Sequence, residues 1–163
     1  MSASSTSDAP PPGGVFAVPG TELSKQVLSA DDIRRALTRI AHEVIEHNQG
    51  LDRVVLVGIQ TGGAWVVERL AEVMHRIEPA QPVPIGLLDP TFHRDDIGLR
   101  PTLTGAESRI PVPLDGAAVI LVDDVLYTGR TVRAALEALN DYGRPRSVQL
   151  AVVVDRGHRE LPI

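Results

Sequence analysis

The sequence predicts an α/β domain with a mainly parallel central sheet flanked by helices. Apolar runs of strand length alternate with segments of helical periodicity, which is typical of parallel sheets with right-handed crossovers. Two of these runs pass directly into glycine-containing loops that precede helices, as at the ligand-binding edge of many such sheets. The length of 163 residues is that of one domain with a sizeable core.

The N-terminal segment, residues 1–20, is rich in Ser, Pro, Gly and Ala. Such a composition cannot bury enough apolar surface to offset the entropy lost on ordering. We therefore expect a disordered tail over residues 1–20 and a folded domain over residues 21–163.

The first predicted element is a helix that begins after Ser29. Ser29 and Asp32 match the pattern of a capping box. Apolar residues recur at helical spacing until the stop signal at residues 48–50. These apolar positions are Ile33, Leu37, Ile40, Ala41, Val44 and Ile45.

The later elements alternate between strand and helix. The predicted strands are Val54–Ile59, Val83–Leu88, Val119–Val122 and Ser147–Val154, and the predicted helices are Ala64–His75 and Thr131–Leu139. Between them, Thr91–Arg109 is polar, charged and aperiodic, which predicts a long excursion or a mobile loop.

The clearest chemical signal follows the third strand. The strand runs into Asp123 and Asp124, and a loop with Thr128, Gly129 and Thr131 leads into a helix. Carboxylates can accept hydrogen bonds from vicinal ribose hydroxyls, and such a loop can wrap a phosphate with N–H groups and hydroxyls, helped by the helix dipole. A solvated strand end would explain the acidic pair by itself. The full succession of strand, acidic pair, loop and helix instead favours a site that binds a phosphorylated ribose. The candidate residues are Asp123, Asp124, Val125, Leu126, Tyr127, Thr128, Gly129, Arg130 and Thr131.

A second glycine turn, Thr61-Gly62-Gly63, follows the first strand. It could be a tight strand-to-helix connection and nothing more. Beside a phosphoribosyl site it becomes a candidate cradle for the pyrophosphate leaving group, because glycine lets the backbone N–H groups approach an anion.

Two charged segments have both a solvent interpretation and a functional one. His93–Asp96 is either a solvated loop tip or a lid whose catalytic Arg94 closes on developing pyrophosphate charge and excludes water. Asp155–Glu160 is either a surface turn or the start of a base-binding edge, Asp155 and Arg156, with a basic contribution to an RNA face.

Composition excludes several other classes. There is no cysteine, so disulfides and thiolate metal sites are absent, as in a reducing cytoplasm. No apolar run approaches the roughly 20 residues of a membrane span, and no export signal is recognisable. With a net charge of −5 and 3% aromatic residues, RNA binding would require a local basic patch.

The chain closely resembles the PyrR family, pyrimidine-operon attenuation regulators that also act as uracil phosphoribosyltransferases. The resemblance covers about residues 29–163. The 119–131 stretch is similar to the signature of all type I phosphoribosyltransferases, whereas the Arg34–Glu43 helix and the Asp155–Pro162 run resemble PyrR in particular.

This resemblance implies a type I phosphoribosyltransferase fold and two activities. Uracil and phosphoribosyl pyrophosphate, with Mg²⁺ held mainly by substrate, would give UMP and pyrophosphate. With UMP bound, the protein would bind a stem-loop of the pyr leader mRNA. The resemblance implies that Thr38, His42 and Arg159 contact the RNA. We add Arg34, Arg35 and Arg39 as candidate RNA contacts because of their charge alone. A homodimer or higher homo-oligomer is expected from the family.

Three features bear on the assignment. Family members usually have Thr-Arg-Gly where this chain has Thr61-Gly62-Gly63. Tyr127 is usual for the family, whereas purine-salvage relatives carry an acidic residue there. Family members continue beyond the position of Ile163, so we expect a C-terminally truncated domain. The alternatives are a nucleotide-sensing RNA regulator with little transferase activity and a phosphoribosyltransferase for another base with no RNA role.

Overall fold

The structure is a computed structural model that describes residues 27–94 and 107–163. The predicted tail, residues 1–20, lies outside this part of the chain. So do Asp95 and Asp96 of the predicted lid.

The described residues form three α-helices and four strands. The helices are α1 (Ala30–His47), α2 (Gly62–Ile77) and α3 (Arg130–Leu139), and the strands are β1 (Val54–Ile59), β2 (Ile85–Leu88), β3 (Ala118–Leu126) and β4 (Ser147–Asp155). Short 3-10 turns lie at Thr91–His93 and Asn140–Tyr142. The predicted order of elements is confirmed.

The four strands form one parallel sheet in the order β2-β1-β3-β4. The chain moves outward from β1 to β2 in one direction and from β3 to β4 in the other. Because crossovers in parallel sheets are right-handed, this reversal places α2 and α3 on opposite faces. The carboxyl ends of β1 and β3 therefore form the switch point where ligands bind in sheets of this kind.

The core has two layers, one on each face of the sheet. The α1 and α2 layer packs Leu37, Leu70 and Met74 against Leu56 and Ile120. The α3 layer packs Ala135, Ala138 and Leu139 against strand side chains of the opposite face. All six residues of β1 are buried, which explains why a central parallel strand reads as a continuous apolar run.

Helix α1 is fixed at both ends by side-chain hydrogen bonds. The capping box is confirmed: Ser29 Oγ accepts from the N–H of Asp32, and the Asp32 carboxylate accepts from the N–H of Ser29. Hydrogen bonds to the Asp32 carboxylate from the Ser29 hydroxyl, at 2.6 Å, and then from the Ser29 N–H lower the pKa of Asp32 to about 2. At the other end, the Asn48 and Gln149 amides exchange hydrogen bonds of 3.1 and 2.9 Å. Helix α1 is thereby tied to β4.

Two sequence-based expectations need correction. We predicted that the third strand ends at Val122, but β3 continues to Leu126 because β4 remains paired with it through Asp155. The Thr91–Arg109 excursion also has an ordered base. Arg109 and Leu87 exchange backbone hydrogen bonds of 2.7 and 2.8 Å, so the described end of the excursion pairs antiparallel with β2.

Candidate active site

The candidate site lies in a crevice between β1 and β3. The last pair between these strands is Gly58 with Val122, whereas β3 continues beside β4 to Leu126. Since β3 extends past its neighbour, its final residues have β4 on one side only. The two predicted glycine loops both open at this edge, as the sequence predicted.

The two acidic residues face opposite sides of β3. A turn of the chain at the end of the strand would let both carboxylates reach one ligand. Inside a strand, however, successive side chains alternate. Asp123 lines the cavity of the phosphate loop, and Asp124 lies against Gly62 at the start of α2. The two carboxyl groups nevertheless remain close enough to interact, because Asp124 adds to the raised pKa of Asp123. That both reach one ligand stays a prediction.

Asp123 is the buried polar residue of the core, with 7% of its surface exposed. Burial raises the pKa of its carboxyl to about 7, the nearby Asp124 charge adds to this rise, and a hydrogen bond from the Asp124 N–H opposes it. Near neutral pH the group can therefore either accept or donate a hydrogen bond, which suits recognition of a ribose hydroxyl.

The predicted pyrophosphate loop forms the first turn of α2. Gly62 and Gly63 are the first helical residues, and Thr61 makes no side-chain capping bond. The Gln60–Thr61 peptide is cis. Because the first turn of a helix has N–H groups without intrahelical partners and a positive dipole end, this turn can receive an anion.

Close backbone packing explains both glycines of this turn. A β-carbon on Gly63 would overlap the carbonyl oxygen of Val122 and lie 3.1 Å from its carbonyl carbon. A β-carbon on Gly62 would lie 2.6 Å from Oδ1 of Asp124. Helix α2 can approach β3 only because neither residue has a side chain.

We expect Gly63→Ala to destabilise the protein by about 3 kcal/mol, since the obstructing atom belongs to the backbone of a central strand and cannot move aside. Gly62→Ala is the matched control. The atom in its way is the end of the Asp124 side chain, which can rotate, so the loss should be smaller. Urea unfolding of both variants measures the difference; equal losses would contradict the packing argument.

The predicted phosphate loop leads into α3 through Gly129. Gly129 is the N-cap residue with φ of 91°, a left-handed conformation that favours glycine. The loop borders a cavity of about 360 Å³. Arg94 reaches this loop as well, because its Nη1 lies 3.3 Å from the Thr131 hydroxyl oxygen. The predicted lid arginine and phosphate loop are thus in contact. The cavity is lined by Arg94, Asp123, Val125, Leu126, Tyr127, Thr128, Gly129, Arg130, Thr131, Val132 and Glu160.

The segment after β4 is bonded to the outer side of the phosphate loop. Three consecutive loop carbonyls, those of Leu126, Tyr127 and Thr128, accept hydrogen bonds of 2.9 Å from this segment. The donors are the Arg156 N–H, the Arg159 guanidinium and the Glu160 N–H. The predicted base-edge residues lie here: Asp155 ends β4, and the Arg156 guanidinium stacks 4.3 Å above the Tyr127 ring.

The predicted RNA-face residues fall into two groups. Thr38, His42 and the three added arginines lie on α1, and each arginine has a carboxylate of the same helix within ion-pair distance. Their partners are Asp31, Asp32 and Glu43 for Arg34, Arg35 and Arg39, respectively. Arg159 instead donates to the phosphate loop and to Asp155. With Glu46, α1 carries four carboxylates against three arginines, so the helix as a whole has no net positive charge.

Sequence reasoning missed two contributors to the site. Glu160 pairs with Arg130 at 2.9 Å and braces the phosphate loop; no sequence pattern marks this pair, which joins two turns. Gly58 lies where a β-carbon would come 2.7 Å from the Gly63 carbonyl oxygen. The sequence did contain a signal for Gly58, because a glycine inside an apolar strand often marks a place where another backbone segment approaches closely.

The described residues contain neither a metal-binding cluster nor a helix suited to crossing a membrane. There, no three His, Cys, Asp or Glu side chains gather into a metal-binding group. No helix of residues 27–94 or 107–163 has the length and apolar character that a membrane crossing requires.

Comparisons with known proteins agree with this geometry. Residues 24–163 match the family model of the phosphoribosyl transferase domain. The bifunctional protein PyrR of Roseiflexus sp. (strain RS-1) is 57% identical over 140 residues, covering 85% of this chain and 76% of that protein. The bifunctional protein PyrR of Bacillus subtilis (strain 168) is 56% identical over 142 residues, covering 84% and 77%.

Solved structures show the same fold at low sequence identity. A hypoxanthine phosphoribosyltransferase from Staphylococcus aureus superposes with a TM-score of 0.65 at 19% identity, over 85% of this chain and 73% of that one. A hypoxanthine phosphoribosyltransferase from Trypanosoma cruzi in complex with IMP gives 0.67 at 17% identity, over 88% and 73%. At these identities the likeness concerns the fold.

Proposed function

We propose that the chain, which belongs to the PyrR family of phosphoribosyltransferases, transfers a phosphoribosyl group to uracil. We also propose that it binds pyrimidine-operon leader RNA in response to UMP. The observation that carries the first activity is the meeting of two glycine loops and two carboxylates at the β1–β3 switch point. Both loops begin helices, and both can receive an anionic group.

In this proposal the phosphate loop and the acidic pair hold the sugar. The turn of Thr128, Gly129 and Thr131 binds the 5′-phosphate with N–H groups and hydroxyls at the start of α3. Asp123 faces this cavity and binds a ribose hydroxyl, while Asp124, on the opposite side of β3, faces the leaving group.

The first turn of α2 receives the pyrophosphate. Uracil N1 attacks ribose C1 as the bond from C1 to pyrophosphate breaks, and the proton of N1 leaves to solvent. Arg94 meets the negative charge that develops on the leaving group. In the structure Arg94 contacts Thr131, which brings it to the rim of the phosphate-loop cavity, and its role at the leaving group remains a proposal.

The residues fit a Mg²⁺ ion that is bound mainly through the substrate. Two carboxylates flank the crevice, and the described part of the chain gathers no larger acidic or histidine cluster there. Such a donor set suits a hard cation held by phosphate oxygens and water. When bound, Mg²⁺ would neutralise charge on the pyrophosphate.

The uracil preference is proposed from the family and from the rim of the site. Tyr127 is held under the Arg156 guanidinium, and Asp155 closes β4 beside Leu126. A hydrogen bond from the Gly157 N–H and then the Arg159 guanidinium lower the pKa of Asp155. An ionised acceptor at this edge can receive a base N–H.

A transferase assay tests the first activity. Protein, uracil, phosphoribosyl pyrophosphate and Mg²⁺ should yield UMP, whereas hypoxanthine in place of uracil should yield no nucleotide. Turnover at background with UMP binding intact would instead support a sensing regulator without transferase activity. Gly62 is the observation that favours this second candidate, because the family's usual basic side chain is missing from the pyrophosphate loop.

The RNA activity predicts a selective effect of Thr38→Ile. Thr38 is half-buried on α1, and its hydroxyl bonds only to the Arg34 carbonyl of the preceding turn. Removing the hydroxyl should weaken UMP-dependent binding of a pyr leader stem-loop by about tenfold, the size of one hydrogen bond to a charged group. Thr38→Ser, which keeps the hydroxyl, is the control.

Binding should be measured at one fixed salt concentration, because phosphate contacts make RNA affinity salt-dependent. Transferase activity should stay unchanged in both variants. An equal loss of RNA binding and catalysis in Thr38→Ile would indicate misfolding and contradict the assignment.

A further inference from the structure

The segment after β4 carries a guanidinium that joins two parts of the proposed site. Arg159 Nη1 donates to the Tyr127 carbonyl at 2.9 Å, and Nη2 donates to Asp155 Oδ1 at 2.8 Å. Its side chain is 26% exposed, although the residue lies in a surface turn. The sequence had suggested an RNA contact for this residue.

We infer that Arg159 is a positioning residue for the phosphate loop, holding Tyr127–Thr131 in the shape that binds the 5′-phosphate. The inference rests on the proposed function of that loop. Arg159 does not line the cavity, so it would act through the loop backbone and not by touching the ligand.

The direction of the loop's hydrogen bonds supports this role. The Leu126, Tyr127 and Thr128 carbonyls all point to the segment after β4, where they are satisfied by its donors. A phosphate needs N–H groups and repels carbonyl oxygens. Anchoring the carbonyls on the outer side therefore keeps the inner side free for donors.

Arg159 anchors a loop carbonyl through its side chain. The Arg156, Glu160 and Leu161 anchors are backbone N–H groups, which only a substitution by proline would remove. Two further side-chain contacts reach the loop, namely Arg94 with Thr131 and the Arg130–Glu160 ion pair. Both join side chains to side chains, whereas Arg159 donates to the Tyr127 carbonyl and is therefore the position at which a substitution tests the carbonyl anchoring.

The test compares two probes of the site in Arg159→Gln and Arg159→Lys. Ribose 5-phosphate reports on the phosphate loop, and uridine, which lacks the phosphate, reports on the rest. Each is titrated in competition with UMP, by calorimetry, on the full chain. Arg133→Gln is the matched control, because Arg133 is an exposed arginine of α3 that pairs with Glu137 on its own helix.

We expect Arg159→Gln to weaken ribose 5-phosphate about tenfold, as for the loss of a charge-assisted hydrogen bond. Arg159→Lys, which keeps a charged donor, should recover part of this loss. Uridine affinity should stay within about twofold in both, and Arg133→Gln should match the unaltered protein. If Arg159→Gln does not fold, Arg159→Lys tests the inference alone. The inference then predicts that Arg159→Lys lowers the ratio of the affinity for ribose 5-phosphate to the affinity for uridine.

Two results would overturn the inference. Ribose 5-phosphate could bind Arg159→Gln as tightly as the unaltered protein, or both probes could weaken equally, as a general structural role would produce. Failure of the unaltered protein to bind UMP is a different outcome, since it would refute the proposed function itself.

Discussion

Replacing both Asp123 and Asp124 with asparagine is expected to lower the affinity for phosphoribosyl pyrophosphate by about a hundredfold or more, with the fold intact. Hydrogen bonds to charged groups contribute about 1.5–3 kcal/mol each, and the proposal assigns one carboxylate to the ribose and one to the leaving-group side. An amide keeps the size of the carboxylate but loses its charge and one acceptor. The loss should therefore fall on binding and not on folding.

The single variants separate the two roles. Asp123→Asn should weaken UMP as well as phosphoribosyl pyrophosphate, because Asp123 lines the phosphate-loop cavity. Asp124→Asn should affect phosphoribosyl pyrophosphate more than UMP, since Asp124 lies against Gly62 of the pyrophosphate loop. Asp52→Asn is the control, an exposed carboxylate two residues before β1 at the opposite edge of the sheet. Unchanged affinity in the double variant would refute the ribose role.

A second large effect is expected in the pH dependence of stability. The pKa of Asp123 is about 7 in the folded protein, raised from 3.8 by burial. The folded state therefore holds this proton at pH values where the unfolded state has released it. Because the unfolded state binds fewer protons between these two values, the free energy of unfolding falls as the pH rises from about 4 to about 7.

The size of this effect follows from the two pKa values. Each tenfold change in proton affinity is 1.36 kcal/mol, so the rise from 3.8 to about 7 corresponds to at most about 4 kcal/mol. Asp123→Asn removes the titration but keeps an oxygen that can accept from the Asp124 N–H. Its stability relative to the unaltered protein should grow as the pH rises, in urea unfolding at pH 4, 5.5, 7 and 8. Parallel curves for the two proteins would contradict the buried, protonated carboxyl.

The same titration should affect ligand binding. An ionised carboxylate accepts hydrogen bonds from ribose hydroxyls with all of its lone pairs, whereas a protonated one loses part of that capacity. Affinity for uridine, which has no phosphate group titrating at about pH 6, should therefore decline as the pH falls below about 7, and this decline should vanish in Asp123→Asn.

Local patterns were sufficient for the elements and the location of the loops. The capping box at Ser29 and the apolar spacing of α1 are short-range signals, and the structure confirms both. The buried strands were equally clear, because a central parallel strand is covered on both faces and is therefore mostly apolar. The two glycine turns were correctly placed at carboxyl ends of strands for the same reason: strand, turn and helix follow one another directly in the chain.

The disposition of the acidic pair could not be read from the sequence. Whether Asp123 and Asp124 converge or diverge depends on where β3 ends, and β4 determines this by pairing with β3 as far as Asp155. A strand boundary set by a distant neighbour leaves no local mark. The assignment of Arg159 to RNA alone has the same origin, since its carbonyl partner at Tyr127 is 32 positions away.

The sequence by itself determined the order of helices and strands, the position of the two glycine turns and the family to which the chain belongs. These depend on hydrophobic periodicity and on residue types at adjacent positions. Only the tertiary structure decided that Asp123 is buried with a raised pKa, that Asp124 lies over Gly62, and that the segment after β4 anchors the phosphate loop. Each of these depends on the distance between atoms that the chain separates widely, and such distances are set by packing across the whole sheet.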